Sequence, residues 1–129
     1  MSVAQVRPIL LSLGLLLLLT GCADRSGPGS YRGAVTLPAG SPGAVLLRLT
    51  GSEIRSVSGE GGTMAWMSAD PGGGVRLLLI DPDPAGAMTF RMEVADRSAP
   101  LPSIAVLQMV DRANEPLPET TEVRVRFER

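Results

Sequence analysis

The stretch Met88-Thr89-Phe90-Arg91-Met92-Glu93-Val94 decides the fold. Large apolar side chains take every second position, and polar or charged ones fill the gaps. That period of two belongs to a β-strand with one buried and one wet face, because successive Cβ atoms point to opposite sides of an extended backbone. The end of the chain repeats it: Val123, Val125 and Phe127 alternate with Glu122, Arg124, Arg126 and Glu128. A weaker version sets Tyr31, Val35 and Leu37 on one side of an early strand.

Three further runs are apolar on both faces: Ala44 to Leu49, Val75 to Ile80, and Ile104 to Val110. Each is short and bounded by Gly, Pro or Asp, which favours central strands over leucine-rich helices. Weaker strands near residues 53–57 and 63–68 bring the expected set to about eight. Dense turn signals separate them, at Gly59-Glu60-Gly61-Gly62, Asp70-Pro71-Gly72-Gly73-Gly74 and Asp81-Pro82-Asp83-Pro84-Ala85-Gly86. With 15 glycines and 11 prolines, a helical bundle of this length would be crippled. The pattern predicts an all-β chain with a single β-sandwich over residues 31–129.

The first 21 residues read differently. Residues 1–8 hold no acid and one arginine, and Ile9 to Leu19 is apolar except for Ser12 and Gly14. Eleven helical residues rise about 16 Å, half of a bilayer's hydrocarbon thickness, so the run suits a secretory signal better than a span. It ends in Leu19-Thr20-Gly21-Cys22, and Cys22 is the sole cysteine. These four residues resemble the lipobox of bacterial lipoproteins. The resemblance implies recognition of Leu19, Thr20 and Gly21 by signal peptidase II, cleavage before Cys22, and a covalent diacylglycerol on its sulfur with N-acyl lipid on its amine. Residues 22–30 are then the lipidated cysteine and a flexible tether rich in Gly and Ser. Ala23 directly follows the cysteine, and Asp24 comes one position later, which in diderm lipoproteins favours the outer membrane over the inner. The expected location is the bacterial cell envelope, with the domain facing periplasm or exterior.

Cleavage there leaves 108 of the 129 residues, one domain's worth, with 11 arginines against 13 acids. That balance lacks the basic footprint of a nucleic-acid binder. There is no lysine and no histidine. The commonest general base, the commonest zinc ligand and the usual pH switch are therefore missing. Ser52, Ser56, Ser58, Ser68, Ser98 and Ser103 have no histidine or lysine to activate them. Gly61-Gly62 and Gly72-Gly73-Gly74 lack the lysine of a phosphate loop. The expectation is no catalytic residue, no metal and no cofactor beyond the lipid.

A second resemblance covers roughly residues 31–128. Gly43 to Val57, with its Gly43-Ala44-Val45-Leu46 start and Gly51 turn, is similar to the opening of a cohesin-like domain. Val75 to Asp81 followed by Gly86 to Asp96, with Phe90-Arg91-Met92-Glu93-Val94, resembles paired strands of that fold. The likeness implies a jelly-roll or Ig-like sandwich whose relatives bind proteins or carbohydrate. It supplies no binding residues.

Candidate sites come from the remaining chemistry. Leu46, Leu78, Ile80, Ile104 and Val106 form the second face of the leucine-rich strands. Either the fold covers them or they make a patch for a partner or a membrane surface. Trp66, the sole tryptophan, is expected to pack in the core or against a loop, with glycan contact as the alternative. Asp81, Asp83, Asp111 and Asn114 are oxygen ligands for calcium if their loops meet, and turn-stabilising residues if they do not. Paired aspartates across a cleft would suit a glycosidase, but no insertion here builds a cleft. Arg48, Arg76, Arg91, Arg124 and Arg126 are expected on a solvated outer face.

Overall fold

The computed structural model describes residues 27–37, 42–82 and 86–129. They fold into eight strands: β1 (Gly29–Thr36), β2 (Ala44–Thr50), β3 (Ile54–Glu60), β4 (Met64–Ala69), β5 (Val75–Ile80), β6 (Met88–Val94), β7 (Ser103–Val110) and β8 (Arg124–Glu128). Two four-stranded antiparallel sheets result, in the orders β3-β6-β1-β8 and β4-β5-β2-β7. The described residues form a single all-β sandwich, as the alternation predicts.

The core comes from the inward half of each alternation. β6 contributes Met88, Phe90, Met92 and Val94, β2 contributes Val45, Leu47 and Leu49, and β5 contributes Leu77 and Leu79. Apolar residues on two sheets must bury one face against each other to leave water, and this interleaved layer is where they do so. Phe90 lies opposite Gly33 in the β1–β6 register. A Cβ on Gly33 would run into the Phe90 ring, so glycine makes room for it. Phe127 of β8 meets that ring edge-on, with centroids 6.0 Å apart.

β3 and β4 belong to different sheets, and a tight turn carries the chain between them. Gly61 (φ 60°) and Gly62 (φ 90°) both lie in the left-handed region, and Thr63 N donates to Glu60 O at 3.1 Å. Two consecutive positive φ angles make a type I′ turn, which glycines enter without steric cost.

Three differences from the sequence reading stand out. β1 begins at Gly29, paired with Val94, so two residues expected in the tether belong to the sheet. β7 is an edge strand although it is apolar on both faces. Its register on β2 also shifts between Leu46 and Leu47, where a bulge sets Gln108 opposite Leu46 but Val106 opposite Leu47.

The sandwich has two poles. One gathers residues 27–28 and the loops at 51–53, 70–74 and 95–102, tied by Arg97 N to Gly27 O (2.8 Å), Ala95 N to Glu53 O (3.0 Å) and Ser52 Oγ to Pro100 O (2.5 Å). The other holds Gly43, the Gly61-Gly62 turn and the loop that starts at Asp111, where Gly43 N donates to Val110 O at 3.0 Å.

Candidate functional site: an apolar sheet face ending in an arginine pair

Register defines the outer surface of the β4-β5-β2-β7 sheet row by row. Met64, Ile80, Ala44 and Val110 make one row, and Trp66, Leu78, Leu46 and Gln108 the next. Ser68, Arg76, Arg48 and Ala105 make a third. The side chains between these positions fill the core, so the rows point outward. Trp66 is 51% and Met64 43% exposed. A shallow depression of about 270 Å³ sits between Leu46, Leu78, Gln108, Val110 and Asn114.

The opposite outer face is polar. Arg32 pairs with Glu60 at 2.8 Å, Arg91 Nη2 donates to Ser30 Oγ at 3.0 Å, and Arg126 and Glu128 stand on β8. Solvent explains that face. It does not explain the other, where contiguous aliphatic and aromatic groups stay in water.

The structure brings together Leu46, Leu78 and Ile80 of the expected patch and adds Met64 and Trp66. Ile104 and Val106 do not join them. Ile104 lies opposite Leu49 and packs against the core, and Val106 lies opposite Leu47. The bulge is the cause: one extra residue exchanges the faces of everything beyond it. Val106 instead opens, 42% exposed, into an edge cleft of about 530 Å³ shared with Leu107, Leu117 and Val123. Trp66 is also corrected. The tryptophan belongs to the outward half of an edge strand, so it packs neither in the core nor beneath a loop.

At one end of the apolar face stand three charges, Arg48, Arg76 and Asp70. Arg48 and Arg76 are cross-strand partners, a like-charge pairing that costs stability by itself. Between them lies the buried Asp70 carboxylate, with Oδ2 3.4 Å from Arg76 Nε and 3.8 Å from Arg48 Nη1. Oδ2 has no hydrogen-bond partner, while Oδ1 accepts from Gly72 N at 2.9 Å. That amide, then the Arg76 and Arg48 charges, hold the carboxyl below its ordinary range against the opposing effect of desolvation. Two guanidinium forks share one anion and keep donors to spare. An aspartate opening a Pro-Gly-Gly-Gly turn is legible as a turn former. Its place between two arginines follows only from the β2–β5 register.

Among the described residues, the calcium candidates Asp111 and Asn114 are engaged in the turn itself. Asp111 Oδ1 accepts from Ala113 N and Glu115 N, both at 2.9 Å, and Asn114 has φ 61°. Those are turn roles. Asp81 is buried, and Asp83 lies outside the described residues. No group of three His, Cys, Asp or Glu able to hold a metal occurs among the described residues. Of the remaining arginines, Arg124 pairs with Glu122 at 3.2 Å on the exposed rim of β8. Leu19, Thr20, Gly21 and Cys22 also lie outside the described residues. Among those described, no helix is long and apolar enough to cross a membrane. No protein family, curated protein or solved structure matches the chain.

Proposed function

We propose that this chain is a lipid-anchored lipoprotein of the bacterial cell envelope whose β-sandwich is a non-enzymatic binding module for a protein partner. Leu19-Thr20-Gly21-Cys22 behind an apolar leader supports the anchor, and outer-membrane sorting accords with Ala23 after the cysteine. The observation that carries the binding role is the outer face of the β4-β5-β2-β7 sheet, where Met64, Trp66, Leu78, Ile80 and Leu46 lie side by side. Large apolar groups clustered around an exposed tryptophan are what the centre of a protein interface is built from. The cohesin-like pattern in the sequence accords with this.

Affinity isolation of the lipidated protein from its own envelope, wild type against Leu78→Asp, tests the binding role. Loss of specific co-purifying protein in the variant is expected, and identical recovery refutes it. Intact mass of the same material tests the anchor, since a free Cys22 thiol is incompatible with it.

Exposure of Trp66 supports one second reading, a carbohydrate-binding module. Stacking on a sugar ring would quench Trp66 emission across a glycan array. No other aromatic residue shares that face among the described residues, so the protein partner is the favoured reading.

A further inference from the structure

The geometry points to the pole that carries residues 27–28 as the surface this domain lays on the membrane of its own anchor, Leu101 meeting the lipid boundary and the Arg48–Arg76 pair meeting headgroup phosphates. This rests on lipidation of Cys22. Five residue steps separate Cys22 from Gly27, which at full extension reach about 17 Å. Gly27 is fixed to the pole by its carbonyl, which accepts from Arg97 N at 2.8 Å, and by its amide, which reaches Asp96 Oδ1 at 3.5 Å. The pole therefore cannot leave the lipid surface by more than that short reach, whatever the rest of the domain does.

Its chemistry suits the position. Leu101 is 49% exposed in the 95–102 loop, two residues before β7. The Arg97 side chain lies across Gly29, where a Cβ would clash with its Cδ. Arg48 and Arg76 lean toward the same end, because both reach Asp70 where the β4–β5 turn begins. Their spare guanidinium donors match the paired oxygens of a phosphate. Two acids also stand here: Glu53 is exposed, and Asp96 Oδ1 is already taken by the Ser98 amide (2.8 Å) and hydroxyl (2.7 Å). Sheets pack about 10 Å apart, so the tether on the β1 side and the arginines on the β2 side fit one contact area. The apolar sheet face then stands to the side of the membrane, open to a partner.

Depth-dependent quenching tests this on the full lipidated chain. Intact mass first establishes the diacylglycerol on Cys22, which also leaves no competing native thiol. Leu101→Cys at this pole and Arg112→Cys at the other each carry a bimane label, and Trp66 reports natively for the sheet face. The vesicles contain phosphatidylethanolamine and phosphatidylglycerol, or phosphatidylcholine alone, with nitroxide-bearing lipid as quencher. Quenching several-fold stronger at position 101 than at 112, and stronger than at Trp66, is expected. Adding Arg48→Gln and Arg76→Gln should lower quenching at 101 on the anionic vesicles to its level on phosphatidylcholine. Equal quenching at the two poles overturns the inference, and so does an arginine variant with no effect. Strongest quenching at Trp66 would mean that the domain lies on its sheet, which overturns both this inference and the protein-docking face. A free Cys22 thiol overturns the anchor itself, and this inference with it. A lipidated chain with equal quenching leaves the anchor standing.

Discussion

Leu77 and Leu78 are adjacent on β5, and the fold assigns them opposite fates. Leu77 is fully buried, opposite Leu47 on β2 and Met67 on β4. Leu78 is part-exposed, between Leu46 and Trp66 on the outer face. Truncating Leu77 to alanine removes buried methyl groups and leaves a cavity, at a cost of about 2–5 kcal/mol. In a domain of this size each kcal/mol lowers Tm by roughly 4–8 °C, so Leu77→Ala should lose at least about 8 °C. Leu78→Ala gives up only cross-strand contacts of about 0.2–1 kcal/mol each, for a total near 1 kcal/mol and a loss of about 4–8 °C. Thermal unfolding of a chain starting at Gly27, followed by far-ultraviolet circular dichroism, measures both. Equal losses, or a larger loss at Leu78, would reverse the β5 faces and place the proposed docking surface inside the protein.

Gly59→Ala should destabilise by about 1–3 kcal/mol, because the new methyl runs into the Thr63 carbonyl, which belongs to backbone and cannot swing away; an unchanged Tm would contradict the tight β3–β4 crossing. Asp70→Asn should destabilise at neutral pH by leaving Arg48 and Arg76 facing each other without their carboxylate, as the midpoint in urea would report. The folded Asp70 carboxyl titrates below its unfolded value, so its stabilisation is present above about pH 3.9 and disappears as pH falls through the folded value. The gap between wild type and Asp70→Asn should therefore close on acidification, and a gap constant between about pH 7 and about pH 2.5 would refute the ion-pair account. Asp96, held down by the Ser98 hydroxyl and amide and then by the Gly27 amide, has the same sign. Asp96→Asn should accordingly weaken proteolytic resistance of the 95–102 loop at neutral pH and leave it unaltered in acid.

Most of the fold is legible because buried strands impose a period of two. β6 and β8 show that period cleanly, and each places its apolar half inward. β2, β5 and β7 are apolar on both faces, so periodicity alone left open which half faces the core. For β2 and β5 the outward half forms the apolar outer face of the sheet. For β7 the sequence missed both the edge position and the bulge, since neither leaves a mark on a run of seven apolar and neutral residues. Trp66 fails for a related reason: hydrophobicity argues for burial, but exposure depends on which side of an edge strand a residue falls.

What the amino-acid order determined unaided was local. It set roughly where strands run, which turns need glycine, and the lack of histidine and lysine. What only tertiary structure decided was adjacency between distant segments. Arg48 meets Arg76 and Asp70 because β2 pairs with β5 in one register among several that burial would permit. The face shared by Leu46, Leu78 and Trp66 exists because three strands chose the same neighbours. Local chemistry repeats along a chain, but pairing is settled by the free energy of the whole sandwich, and no single segment carries that information.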